Sequence, residues 1–169
     1  MVGNSKVKAP MAFRTKQTPS SDKTAAYVTL YRQMIGSLMY VTTSRMDIIF
    51  SVFYCARFQA NPLEPHMTAV KNISRYLKRT SSLGIWYPFY SGFFVQAFLD
   101  ADLGGCRIDR KSTMGGCQFL DGKLMSWQTK KQTCVSLSTS EVEYIATASC
   151  TSRVIWIQSQ LRDYAINMK

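Results

Sequence analysis

The order of patterns along the chain predicts an α+β fold, a helical unit followed by three antiparallel strands and one long helix. Three observations carry this reading. Apolar residues recur at helical spacing between residues 29 and 80. The period then shortens to that of strands after Ser81-Ser82, and a Ser138…Glu141 pair opens a second helical stretch.

Residues 1–28 hold Lys6, Lys8, Arg14 and Lys16 beside Pro10, Pro19 and a Ser20-Ser21-Asp22 cluster. With so little apolar periodicity they predict a flexible basic linker. From Thr29, a candidate N-cap, the residues Met34, Ile35, Leu38 and Met39 fit one face of a helix. Asp47 is placed to cap a second helix, whose stripe of Ile48, Ile49, Val52, Phe53 and Ala56 runs until Asn61-Pro62. A third helix starts near Pro65. Ala69, Val70, Ile73, Tyr76 and Leu77 fall on its inner face and Lys71, Arg75, Lys78 and Arg79 on its outer one.

Leu83 to Tyr87 and Phe93 to Leu99 are short aromatic and β-branched runs separated by Pro88 and Gly92, the signature of strands. Lys111 to Phe119 and Lys123 to Thr129 read as two more, joined by Asp121-Gly122, a pair suited to a tight hairpin. Ser138, three residues ahead of Glu141, has capping-box spacing, and the helix it opens runs to about Tyr164.

The totals narrow the function classes. At 169 residues and 46% hydrophobic content the chain can bury a core, and its net charge of +11 favours phosphate polymers or anionic membranes, between which charge alone does not choose. No apolar run reaches membrane-span length, and Lys6 and Lys8 stand where a signal peptide would have its apolar core. The expectation is an intracellular protein, cytoplasmic or nuclear, that is not secreted and has no membrane partner. The five cysteines are odd in number and lack C-x-x-C spacing, which predicts free, mostly buried thiols.

Asp100 stands at the end of the first strand, next to Asp102, and Glu143 follows Val142 on the long helix. Strand-end carboxylates hold metal ions in many sites but more often form solvated turns, the role expected of Asp102. Glu141 belongs to the helix cap. His66, the single histidine, has no partners for a triad or a zinc cluster and is expected to pack or hydrogen-bond at a helix start. Lys71, Arg75, Lys78 and Arg79, with Lys130 and Lys131, are candidate phosphate contacts. Trp86, Trp127 and Trp156 sit in apolar runs and are expected in the core.

Tyr31-Arg32-Gln33-Met34-Ile35-Gly36-Ser37-Leu38-Met39-Tyr40 resembles the YRxxIGSLxYL segment of copia-type retrotransposon Gag-Pol polyproteins. Further matches follow in the family's order: Ala56-Arg57-Phe58, Arg75-Tyr76-Leu77-Lys78, Asp100-Ala101-Asp102, Asp109-Arg110-Lys111-Ser112-Thr113, Ser126-Trp127, Leu137-Ser138-Thr139 and Glu143-Tyr144-Ile145-Ala146. Ordered, unevenly spaced matches of this kind are specific as a set. The resemblance implies a reverse transcriptase connection segment over residues 29–82 and the opening part of a ribonuclease H-like domain over 83–169. It implies Asp100 and Glu143 as catalytic, Mg²⁺-binding carboxylates acting on RNA–DNA hybrid.

In the family a third catalytic aspartate lies beyond the long helix in a CDNxSA-like segment, and Lys169 is reached before one. The expectation is a catalytically incomplete ribonuclease H-related piece, with no polymerase activity because a YVDD-like pair is missing. Met46, Arg79 and Leu99 depart from the family's usual Pro, Gly and small polar residue. Two alternatives stand beside this reading, a non-catalytic nucleic-acid-binding module and a relic open reading frame. The first strand is expected at an open sheet edge that invites self-association.

Overall fold

A computed structural model describes residues 9–11, 24–89, 92–106 and 109–166. Most of the expected basic linker lies outside the described residues. Thr24 to Ala26, however, pair with the segment ahead of the third helix: Ala26 N–H donates to the Pro62 carbonyl (2.9 Å) and Glu64 N–H to that of Thr24 (3.0 Å). The chain is α+β and divides after Gly84 into two compact units.

The first unit contains α1 (Val28–Val41), a 3-10 turn (Met46–Ile48), α2 (Ile49–Ala56) and α3 (Glu64–Arg79). Their apolar stripes close on one core of Tyr31, Ile35, Leu38, Ile48, Val52, Cys55, Val70 and Ile73. The α1 stripe is turned from its expected position, because Tyr31 is fully buried while Met39 is exposed. Tyr31 can be buried because its hydroxyl donates to the Cys55 carbonyl at 2.8 Å, which satisfies its one polar atom. Burial pushes the Cys55 thiol up to about 12 and the Tyr31 phenol well above its ordinary range, so both are neutral packing groups.

Two expected caps are not used. Thr29 lies inside α1, whose N-cap is Tyr27 with no side-chain bond. Asp47 sits in the 3-10 turn and leaves α2 uncapped, because Arg45 and the Tyr76 hydroxyl both claim its carboxylate. His66 does act at a helix start. Its Nδ1 accepts from Leu63 N–H at 3.0 Å, and its ring stacks on Phe58 with 4.0 Å between centroids.

The second unit contains β1 (Val95–Ala101), β2 (Thr113–Leu120), β3 (Lys123–Lys131) and α4 (Thr139–Asp163). The three strands form one antiparallel sheet in the order β1-β2-β3. Asp121 (φ 52°) and Gly122 (φ 75°) both adopt left-handed backbone in the two-residue β2–β3 turn, which matches the right-handed strand twist. Leu83 to Tyr87 is not a strand, although the Tyr87 hydroxyl donates to the Leu124 carbonyl at 2.8 Å. Ser138 caps α4 as expected, accepting from Glu141 N–H at 3.2 Å. The returning bond from Glu141 reaches Leu137 N–H (2.7 Å), one residue earlier than in the usual box.

Helix α4 packs on β1 and β2. Polar groups hold it there: Gln118 Nε2 donates to Cys150 Sγ (3.7 Å), Gln128 Nε2 to Ser149 Oγ (3.3 Å) and Gln132 Nε2 to the Val142 carbonyl (3.1 Å). Apolar Val142, Ala146 and Cys150, four residues apart, complete the buried stripe. The tryptophans depart from expectation. Trp86 is 82% exposed, Trp156 is exposed beneath a cation–π contact from Arg153, and Trp127 is only partly buried. Trp86 lies outside any strand and Trp156 on the outer side of α4, so neither has a layer to cover it.

Candidate functional site

Asp100 is the sixth of the seven residues of β1 and pairs with Gly115, while Glu143 lies in the second turn of α4. Both carboxylates are exposed, and among the described residues neither is held in a hydrogen bond or ion pair.

The register fixes which way Asp100 points. Gln118 and Gln128 face α4, and Gly116, paired with Gln128 and Leu99, lies on that same side. Alternation along β1 then sends Leu99 towards α4 and Asp100 to the opposite face, alongside Phe98 and across from Gly115. The structure therefore does not bring Asp100 and Glu143 together. Among the described residues no group of three or more His, Cys, Asp or Glu side chains is arranged to hold a metal ion. Two carboxylates on opposite sides of a sheet do not fit a pair of divalent ions, which several shared carboxylates must hold against mutual repulsion.

Asp102 has the expected turn role. Its backbone N–H donates to the Thr113 carbonyl (3.0 Å) and its carboxylate accepts from Thr113 N–H, closing the loop after β1. Ser112, fully buried, steadies that loop by accepting from Gly104 N–H at 3.0 Å.

The basic candidates separate into two groups, one in each unit. Lys71, Arg75, Lys78 and Arg79 follow one another along the outer side of α3, where Arg75 is steadied by Asn72 (2.8 Å). Lys78 and Arg79 also occupy the last turn of α3, where cations complement the helix dipole. On β3, Lys130 is exposed, but Lys131 is bound to Asp109 and lies 3.9 Å from Cys106 Sγ. The Lys131 ammonium, with the Cys106 thiol, holds the Asp109 carboxyl well below the usual carboxylate range. Lys131 is thus committed to a structural pair. Asp109 was the residue missed in the sequence, where it stood only as part of a motif, and nothing in its spacing pointed to a lysine 22 positions on.

Among the described residues no helix is long and apolar enough to cross a membrane. Over 168 residues, 99% of its length, the chain is 34% identical to the Retrovirus-related Pol polyprotein from transposon RE1 of Arabidopsis thaliana. It is 37% identical over 140 residues to the Retrovirus-related Pol polyprotein from transposon TNT 1-94 of Nicotiana tabacum. The matched stretches make up 12% and 10% of those relatives, so the chain spans a small part of their length. The Secreted RxLR effector protein 161 of Plasmopara viticola is 32% identical over 133 residues, and there the match covers 94% of the relative. No family model and no solved structure matches the chain.

Proposed function

The chain belongs to the family of retrovirus-related Pol polyproteins of copia-type transposons, and from that premise we propose that it is a ribonuclease H-related piece of such a polyprotein. Residues 29–82 would be the connection segment and 83–169 the opening part of the ribonuclease H-like domain. The substrate is the RNA strand of an RNA–DNA hybrid, and an intracellular place, cytoplasmic or nuclear, goes with that substrate. The effector relative, whose name describes it as secreted, stands against that last point.

The observation that carries the proposal is the run of similarity to the transposon polyproteins through both units. Asp100 and Glu143 take the positions of the first two family carboxylates, and Mg²⁺ would supply the activation of water. In this chain the two carboxylates are exposed on opposite sides of the sheet. The piece alone therefore binds without cutting. Lys71, Arg75, Lys78, Arg79 and Lys130 supply phosphate contacts that are independent of sequence and weaken with salt.

The test is incubation of the chain with labelled hybrid and Mg²⁺, with binding read by anisotropy on the same samples. Hybrid should be held at low salt and remain uncut, and Asp100→Asn or Glu143→Gln should leave binding nearly unchanged. Mg²⁺-dependent cleavage lost in either variant would show a competent site and overturn the claim of inactivity. Cleavage insensitive to both would overturn the site itself, and absence of binding at low salt would remove the nucleic-acid reading.

A further inference from the structure

We propose that Cys106 and Lys131 form an oxidative modification site, at which a peroxide joins the cysteine sulfur to the lysine nitrogen. A thiol, an ammonium and a carboxylate meet here. The Lys131 ammonium lies 3.9 Å from Cys106 Sγ, and the Asp109 carboxylate accepts from both the ammonium and the thiol. The backbone fixes the sulfur: Cys106 N–H donates to the Lys111 carbonyl (3.1 Å), and the Cys106 carbonyl accepts from Arg110 N–H (2.8 Å). Cys106 is itself buried, but about a third of the Lys131 and Asp109 side chains is exposed, which leaves a small oxidant a way to the sulfur beside them.

A cation in contact with the sulfur separates an oxidisable thiol from an inert one. Cys55 shows the contrast, since it lies in the apolar core of the first unit and burial pushes its thiol up to about 12. At Cys106 the sulfur attacks one oxygen of hydrogen peroxide, the O–O bond breaks, and a sulfenic acid and a water form. An electron pair passes from sulfur to the peroxide. Lys131, having lost one proton to solvent, then attacks the same sulfur with its nitrogen lone pair. The S–N bond forms, the S–O bond breaks, and the hydroxyl leaves as water with a second nitrogen proton. The lysine's flexible stem closes the remaining gap with the backbone in place, and Asp109 is a positioning group that holds the nitrogen against the sulfur until then. The product ties the loop after β1 to the end of β3, and its formation is independent of any hydrolytic role.

The experiment treats the full chain with hydrogen peroxide at mildly alkaline pH, folded and in urea, and maps its tryptic peptides by mass spectrometry. The folded chain should yield two peptides joined between Cys106 and Lys131, about 2 Da lighter than their sum, with trypsin unable to cut at Lys131. Dithiothreitol should separate them. The link should be lost in urea, where sulfur and nitrogen part, and in Lys131→Arg, which keeps a cation beside Asp109 but has no nucleophilic amine. The comparison of folded and unfolded wild type decides the matter even if that variant fails to fold. Fragment ions that put the link on Cys134, a link that retains an oxygen atom, or an equal yield in urea would each overturn the proposal. Recovery of Cys106 as thiol or sulfinic acid, with Lys131 unmodified, would overturn it as well.

Discussion

The two units solve the problem of burial in opposite ways. The first closes an apolar core on itself: Tyr31, Ile35, Ile48, Val52, Val70 and Ile73 have no exposed surface, and the hydroxyl of the fully buried Tyr31 is satisfied internally. The second joins its helix to its sheet through three glutamines set beside the buried Val142, Ala146 and Cys150, and Phe98, on the other face of the sheet, is 57% exposed. Charge divides in the same sense. Residues 1–84 hold twelve basic and three acidic residues, net +9, and residues 85–169 hold nine and seven, net +2. Apolar burial thus goes with concentrated positive charge in one unit, and polar docking with near-balanced charge in the other.

The largest effect that separates the units is a core truncation. Ile73→Ala removes a fully buried side chain from the first unit and should cost about 3 kcal/mol, read from urea unfolding. Trp86→Ala removes a much larger side chain from the second unit, yet at 82% exposure it should cost under about 0.5 kcal/mol. Equal costs would mean that the two units do not differ in closure.

The same contrast explains what could be read in the sequence. In the first unit a 3.6-residue period suffices, and Ile35, Leu38, Val70 and Ile73 are recognisable because burial there is apolar. The rotation of the α1 stripe towards Tyr31 was hidden, since a tyrosine is buried when a distant carbonyl such as that of Cys55 meets its hydroxyl, and so were the unused caps at Thr29 and Asp47, the latter held by Arg45 and Tyr76. In the second unit the β2–β3 hairpin and the Ser138 cap were legible because both are local chemistry. The glutamine contacts were not, because an amide's burial depends on partners that sequence spacing does not reveal. Aromatic runs were misleading for the same reason: Trp86 and Trp156 are apolar in sequence but have no layer above them. Asp100 and Glu143 could be named by motif. Their separation by a sheet follows from register, which becomes visible only once β1 is paired with β2.

A smaller effect sharpens the account of the second unit. Ser138→Ala removes the acceptor for Glu141 N–H and should cost about 1 kcal/mol. The loss should be local, seen as faster amide exchange in the first turn of α4. If exchange there is unchanged, α4 is held by its glutamine contacts and its buried apolar stripe, and the cap contributes nothing.

The smallest effect is electrostatic and belongs to the first unit. Arg45 grips both oxygens of Asp47 (2.9 and 2.8 Å), the Tyr76 hydroxyl adds a third bond (2.9 Å), and Arg45 also reaches the Thr80 carbonyl (2.9 Å) at the end of α3. The hydrogen bonds from Arg45, then that from Tyr76, outweigh partial burial and hold the Asp47 carboxyl below its usual range. A carboxylate lowered on folding adds stability that is fully present above its unfolded pKa, about 3.9, and is lost as pH falls through the folded value. Asp47 is 32% exposed, so solvent screens the pair and the contribution should stay under about 1 kcal/mol. Asp47→Asn should therefore unfold more readily than wild type at pH 7, and the gap should narrow as pH is lowered below about 4. The second unit has its own lowered carboxyl, Asp109 beside Lys131, which weakens both proteins alike in acid and cancels in the difference between them. A gap in urea midpoints that stays constant from pH 7 to pH 3 would show that Asp47 stabilises the first unit as a neutral hydrogen-bond acceptor and that its charge is immaterial.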